Sequence, residues 1–502
     1  MSNEVFPIQD LPEEVLEHIF SFLPLSNRKS ASLVCAKWER LAFYRRFLRK
    51  VVLRIQLEFT CQVQVQFLRR SKRRYRNVLV FLHTHGCSEF CFQNILAILE
   101  LFGADVESLQ CMGHLNTNQL CMVLSLLPKL QHLIVRLNFD DEYVYPGFEI
   151  PPLKPLEEFA LQIENLDVSH VNQLDIILSE PAEGRNFLPV LRRLAPQLKN
   201  LYFYSTDYFI PLEQIQFPEA EVLNIGGNLC DTDNDWVLRT FFAGFKLLKE
   251  VRLDFIIKEI VLDVIVEACP AIELLKFKSP RFNVIPFRSL GRLKYLRTLG
   301  LGEVNDVPDI SLKCSPMVSV KSLSLVISNC EESSIERLRH LLPNVIDMSV
   351  TLKGDYTIDR GLRHICQNFR GLQRLKVSDK STRFLKPCIS LLELEHLDRL
   401  EELILKNIRT RIVNMPPNPH LKRFVLKSLC WLFDRDMLEL ARQFPNLRCF
   451  EHGRNVQLSS QAIDVLKSQL VNCAVHCIPY AMNSVSKNYR DLFKILRQIA
   501  QN

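Results

Sequence analysis

The sequence predicts an α/β chain in two parts. A short three-helix segment comes first, and a curved solenoid of strand–helix repeats follows, with a parallel sheet on its concave side. Three observations carry this. A six-residue frame, apolar-x-x-apolar-x-apolar, recurs from Leu48 to Leu447. Helical segments stopped by proline precede many of the frames, as in MVLSLLPKL, VIVEACPAI, LRHLLPNV and LARQFPNL. Residues 7–47 lack the frame and carry helical spacing instead.

Composition narrows the function classes. The 502 residues are 47% hydrophobic, enough for a large core and more than one domain. Only 15 are glycine, which argues against glycine-rich phosphate loops and for a repeat architecture. The net charge of +7 is mild and dispersed, so it does not point to nucleic acid. The opening MSNEVFPIQD has neither a basic nor an apolar signal region, and no run of about 20 apolar residues occurs, so neither a secretory signal nor a membrane span is expected. Sixteen irregularly spaced cysteines in that setting read as reduced, mostly buried thiols of a cytoplasmic or nuclear protein.

In the N-terminal segment, Asp10 and Glu13 have the spacing of a capping box, with Pro12 in the first turn. Leu11, Val15, Leu16, Ile19, Phe20 and Leu23 recur at intervals of three and four and form one helical stripe. Pro24 stops that helix, Ser26 is placed to cap a second, and Val34, Cys35, Trp38 and Leu41 give a third apolar face. Three helices in about 40 residues bury little surface alone, so apolar groups remain for a neighbour. That neighbour is either the next domain or another protein.

The same residues resemble a known family. L-P-x-E at Leu11, Pro12 and Glu14, I-F-S-F-L at Ile19–Leu23 and L-V-C-x-x-W at Leu33–Trp38 are similar in order and spacing to an F-box. The resemblance implies docking onto the Skp-family adaptor and, through it, onto the cullin and RING subunit of an SCF-type ubiquitin ligase. It implies that Leu11, Pro12, Val15, Leu16, Ile19, Leu23, Val34 and Trp38 supply the adaptor interface or its supporting core. Arg28 and Lys29 depart from it, standing where the family usually has two apolar residues.

From Val320 onward, successive frames start 21–28 residues apart, the range of a leucine-rich repeat. Each alternating L-x-L reads as a short strand with one buried face. A helix ended by proline and followed by a strand is the unit that such solenoids stack. This pattern resembles the helix-bearing leucine-rich repeats found behind F-boxes, and it assigns residues 48–457 to the array. The frames at Leu156 and Leu198 start 42 residues apart, so residues 163–188 read as a projecting insertion or a degenerate repeat. Residues 458–502 read as a C-terminal cap and helical tail, since an open solenoid end needs a polar cover.

Positions flanking the inward apolar residues of each strand face out of the sheet. They hold Arg252, Lys276, Lys278, Arg374, Lys376, Lys406, Arg423 and Lys427 against Glu250, Asp254 and Glu402. Rows of Arg and Lys favour carboxylate and phosphate, so these eight are the candidate substrate surface, suited to an acidic or phosphorylated protein. An ordinary solvated face in a mildly basic chain has the same composition. The run Arg69–Arg76 has the density of a nuclear localisation or RNA-contact segment, and equally of a solvated face.

Catalytic constellations are set aside. His83, His85, Cys87 and Cys91, and likewise Cys473, His476 and Cys477, lack the paired spacing of a zinc site. Gly300–Gly302 lacks the third glycine of a dinucleotide loop. No thiol stands out as an activated nucleophile. The expectation is a non-catalytic receptor subunit of a ubiquitin ligase complex, with no cofactor and no metal, holding a protein substrate on its solenoid. An interaction scaffold without a ubiquitin role is the alternative.

Overall fold

A computed structural model describes residues 8–49, 51–56, 61–71, 73–81, 89–112, 117–137, 173–178, 191–205, 215–227, 235–257, 259–280, 287–304, 307, 309, 313–327, 331–353, 358–379, 391–408, 415–427, 433–453 and 458–478. The chain divides into two compact units, Met1–Glu250 and Val251–Asn502.

The first unit opens with four helices, α1 (Glu13–Phe22), α2 (Leu25–Ala31), α3 (Ala36–Ala42) and α4 (Arg45–Leu48). Leu16, Phe20, Leu41, Ala42 and Leu48 are buried at their centre. Trp38 packs edge-on against Phe20, with ring centroids 5.4 Å apart. Neither expected side-chain cap forms. Pro12 itself is the N-cap residue of α1, so Asp10 is left in the 3-10 turn before it. Glu13 becomes the first helical residue, and its carboxylate accepts a hydrogen bond from Arg40 instead. Pro24 likewise occupies the N-cap of α2, and the Ser26 hydroxyl meets Asn27 Oδ1 at 3.3 Å.

Seven parallel strands follow in chain order: β1 (Val52–Gln56), β2 (Asn77–Phe81), β3 (Ser108–Met112), β4 (His132–Leu137), β5 (Gln173–Leu178), β6 (Asn200–Ser205) and β7 (Val222–Gly227). In β3, β4, β6 and β7 the second apolar residue of each frame falls in one row. In β1 and β2 the row holds Leu53 and Val78, so the frames read from Leu48 and Arg76, with Val51 and Leu79 at that position, are out of register. Leu53, Val78, Leu109, Leu133, Leu174, Leu201 and Leu223 are successive register partners. All but Leu53 are buried. At about 1.5–3 kcal/mol per fully buried side chain, this row sets the register. Helices α5 (Cys61–Arg70) and α6 (Glu89–Phe102), and those at Thr117–Ser125 and Asp235–Ala243, connect the strands.

Of the 163–188 segment only residues 173–178 are described. Residues 173–178 are β5, hydrogen-bonded in parallel between β4 and β6. The frame at Leu156 lies outside the described residues.

In the second unit, β8 (Glu250–Ile257) is followed by β9 (Leu274–Pro280), β10 (Thr298–Val304), β11 (Ser322–Ile327), β12 (Asp347–Leu352), β13 (Arg374–Asp379), β14 (Glu402–Lys406), β15 (Arg423–Lys427), β16 (Cys449–Gly453) and β17 (Ala474–Ile478). From β9 to β17 each strand pairs in parallel with the next. The core row of this unit is Leu275, Leu299, Leu323, Met348, Leu375, Leu403, Phe424 and Phe450, all buried. The fold class is therefore as expected, N-terminal helices followed by an α/β solenoid of parallel strands. Gly300 lies within β10 and in no loop. The terminal helix, Ser460–Gln469, is capped by the Ser459 hydroxyl, which accepts from the Ala462 amide at 3.1 Å. Residues 479–502, with the expected tail helix, lie outside the described residues. Among the described residues no helix is long and apolar enough to cross a membrane.

Candidate functional site

The single apolar stripe of α1 divides once it is folded. Leu16 is fully buried with Phe20 and belongs to the internal core. Leu11, Ile19, Leu23 and Trp38 are half-buried, and Pro12 is exposed. Val15 is 41% exposed, Phe22 72%, Leu33 87% and Val34 63%. Contiguous exposed apolar surface on a soluble protein marks interaction sites in general. Sequence reasoning missed Phe22 and Leu33, because the i, i+3, i+4 stripe does not reach them.

Arg28 and Lys29, the departures in α2, have different fates. Lys29 is exposed. Arg28 is buried, donates to the Ala42 carbonyl at 3.5 Å, and lies over the Phe47 ring at 4.8 Å. Burial lowers its pKa from the usual value. Its aliphatic stem fills a place for an apolar side chain, and its head is held by a carbonyl and a π-face. Arg46 also lies over Phe47, at 4.7 Å, and pairs with Glu17 of α1 at 3.1 Å.

Three arginines of the basic run Arg69–Arg76 are paired within the fold, while Arg69 and Arg70 are exposed. Arg73 covers the Phe43 ring at 3.6 Å and stands 3.8 Å from Glu39, fastening the run to α3. Arg74 pairs with Asp105 at 3.2 Å, and Arg76 with Glu107 at 2.6 Å. Tyr75 is buried edge-on against Phe102. Between α3 and α5 lies an open cleft of about 1400 Å³, lined among others by Lys37, Arg40, Tyr44, Phe67, Arg70 and Arg73.

On the open face of the second unit, the expected basic row is an alternating ladder. Asp347, Arg374, Glu402 and Arg423 are successive register partners on β12 to β15. Arg374 pairs with Asp347 at 3.2 Å. Arg423 bonds Glu402 and Glu451 at 2.5 Å each, and the bond to Glu451 raises its pKa. Opposite charges on neighbouring strands attract across the ladder, so these two arginines are partly neutralised. Reversing either charge would break ion pairs as well as alter the surface. The signal was present in the sequence, since Asp347 holds the same frame position as Arg374. Lys376, Lys406 and Lys427 are exposed, and Arg252 and Lys276 are half-exposed. Lys276 runs along Gly300, where an added Cβ would stand 2.6 Å from its Cγ. The Lys278 side chain lies outside the described residues.

Buried thiols are far from nucleophilic. Desolvation pushes Cys111 and Cys269 up to about 12 and Cys473 up to about 11, and it raises Cys366 further. At neutral pH these groups stay protonated. Among the described residues no cluster of three His, Cys, Asp or Glu side chains could hold a metal. His83, His85, Cys87 and the Cys91 side chain lie outside the described residues.

Comparison with known proteins gives one domain assignment. Residues 8–54, spanning α1–α4 and the first three residues of β1, match the family model described as F-box-like. No curated protein matches the chain significantly. A yeast structure of the Rad7 and Elc1 complex aligns at 13% identity and a TM-score of 0.35, over 91% of this chain and 96% of that one. A TLR13–ssRNA13 complex aligns at 14% identity and a TM-score of 0.31, over 82% of this chain and 56% of that one. Scores this low do not establish a common fold.

Proposed function

We propose that the chain is a substrate-receptor subunit of an SCF-type cullin–RING ubiquitin ligase. The observation that carries this is the F-box-like domain at residues 8–54, together with the apolar groups it leaves exposed. Under this reading Val15, Phe22, Leu33 and Val34 enter the Skp-family adaptor, flanked by Leu11, Pro12, Ile19, Leu23 and Trp38. Leu16 holds α1 in place from beneath. At about 25 cal/mol per Å², a few such side chains supply several kcal/mol of docking energy.

The receptor does no bond-making itself. The adaptor links it to cullin and RING subunits, and the solenoid holds a protein substrate beside the thioester-bound ubiquitin. Raising the effective concentration of substrate lysines is its whole contribution to rate. Under this reading the protein works in the cytoplasm or the nucleus. Co-purification of the tagged chain with the Skp-family adaptor tests the proposal. Wild type should retain the adaptor, and Val34→Asp, a change at an exposed position, should lose it without loss of folding. Failure of wild type to retain the adaptor would leave a scaffold with no role in ubiquitin transfer.

A further inference from the structure

The ladder of the second unit compensates charge wherever charged residues are register partners, with one exception. Asp347, Arg374, Glu402 and Arg423 alternate in sign across β12 to β15. Glu303 and Lys353 form a further pair. Four residues along the same strands, the row reads Thr351, Ser378, Lys406 and Lys427. There Lys406 and Lys427 are direct register partners, like charges on strands about 4.8 Å apart. From β9 to β17 they are the one like-charged register pair among the described residues. Both are exposed on the open face. Glu451, an acid on the next strand, is held by two hydrogen bonds from Arg423.

Like charges set directly opposite each other destabilise a sheet. The geometry also prevents the pair from drifting apart at its end. Asn407, with a left-handed φ of 57°, turns the chain out of β14, and its amide donates to the Lys427 carbonyl at 2.8 Å. Two uncompensated ammonium groups a strand apart call for about two negative charges in one place. A carboxylate brings one. A phosphate monoester brings about 1.5–2 at pH 7, with three acceptor oxygens for the six ammonium protons.

We infer that Lys406 and Lys427 form a phosphate-binding site on the open sheet face, occupied by a phosphorylated residue of the protein that the solenoid holds. The source of the phosphate rests on the receptor reading, and the site itself rests on the sheet. The site costs the free protein stability, which the bound phosphate restores.

The test uses the full chain, immobilised, and three randomised nonapeptide pools with central phosphoserine, serine or glutamate. Wild type should retain the phosphoserine pool at least tenfold over the serine pool and clearly over the glutamate pool. Lys406→Gln/Lys427→Gln should reduce this to the serine level. Lys427→Glu should abolish retention and raise the thermal midpoint, because it restores alternation beside Lys406. Equal retention of all three pools would overturn the inference, as would equal retention of the phosphoserine and glutamate pools. An unchanged or lowered midpoint for Lys427→Glu would also overturn it. Phosphoserine retention without adaptor binding would sink the receptor reading and leave the site standing. Adaptor binding without phosphoserine retention would do the reverse.

Discussion

At the scale of single residues, two buried groups carry measurable consequences. Arg28 is desolvated, with one long hydrogen bond and one aromatic contact as compensation. An apolar side chain there avoids the desolvation cost, and for buried ionic groups such replacement is often neutral or stabilising by about 1–4 kcal/mol. Arg28→Leu is therefore expected to raise the thermal midpoint of the first unit by about 2–4 °C, for about 1 kcal/mol gained. A lowered midpoint would mean that the Phe47 contact outweighs the desolvation. His364 is buried beside Glu332 at 3.6 Å and accepts from Arg360 Nε at 3.3 Å, with Arg363 and Glu393 paired nearby. Desolvation holds its pKa below the usual value of about 6.5. The unfolded chain then takes up the proton first as pH falls, so stability is full above about 6.5 and declines below it. Urea melts between pH 7 and 5 should show that decline, and His364→Gln should flatten it. Equal slopes for wild type and variant would refute the assignment.

At the scale of elements, the turn after α6 leaves no room for a Cβ. Gly103 lies just after α6, where an added Cβ would stand 2.2 Å from the Leu126 carbonyl oxygen. Backbone sits on both sides of that contact, so the strain has no flexible outlet. Gly103→Ala is expected to cost about 1–3 kcal/mol, read as a lowered midpoint in denaturant. An unchanged midpoint would show that the turn can shift. Strands were the most legible elements, because each frame buries alternate residues and the rest follows from a period of two. The frame VNQLDI from Val171 was hidden by its setting, since turn-rich residues follow β5 and the expected neighbour at Leu156 drew the register elsewhere. Helix starts were less legible. D-x-x-E has the spacing of a capping box, but a proline between its members took the cap position and shifted the helix start by two residues. The charge ladder was misread because only Glu250, Asp254 and Glu402 were set against the cations, and Asp347 and Glu451, which hold equivalent frame positions, were left out.

At the scale of the whole molecule, the chain joins a small domain that exposes apolar groups to a large solenoid that buries them. In each unit the apolar frame residues make the core, and in the second unit Lys376, Lys406 and Lys427 stay exposed on the open face. The split of α1 into a buried pair and an exposed set came only with the fold, because a three-and-four stripe cannot say which half a small domain keeps for itself. Under the proposed receptor reading, the F-box-like domain would give the solenoid's surface a purpose, delivery of a bound protein to chemistry done elsewhere. The most direct test is a titration of the purified full chain with the purified Skp-family adaptor by calorimetry. Wild type is expected to form a one-to-one complex, and Val15→Asp/Val34→Asp to weaken it at least a hundredfold with an unchanged thermal midpoint. No detectable complex with wild type, or equal affinity for the variant, would contradict adaptor docking through this face.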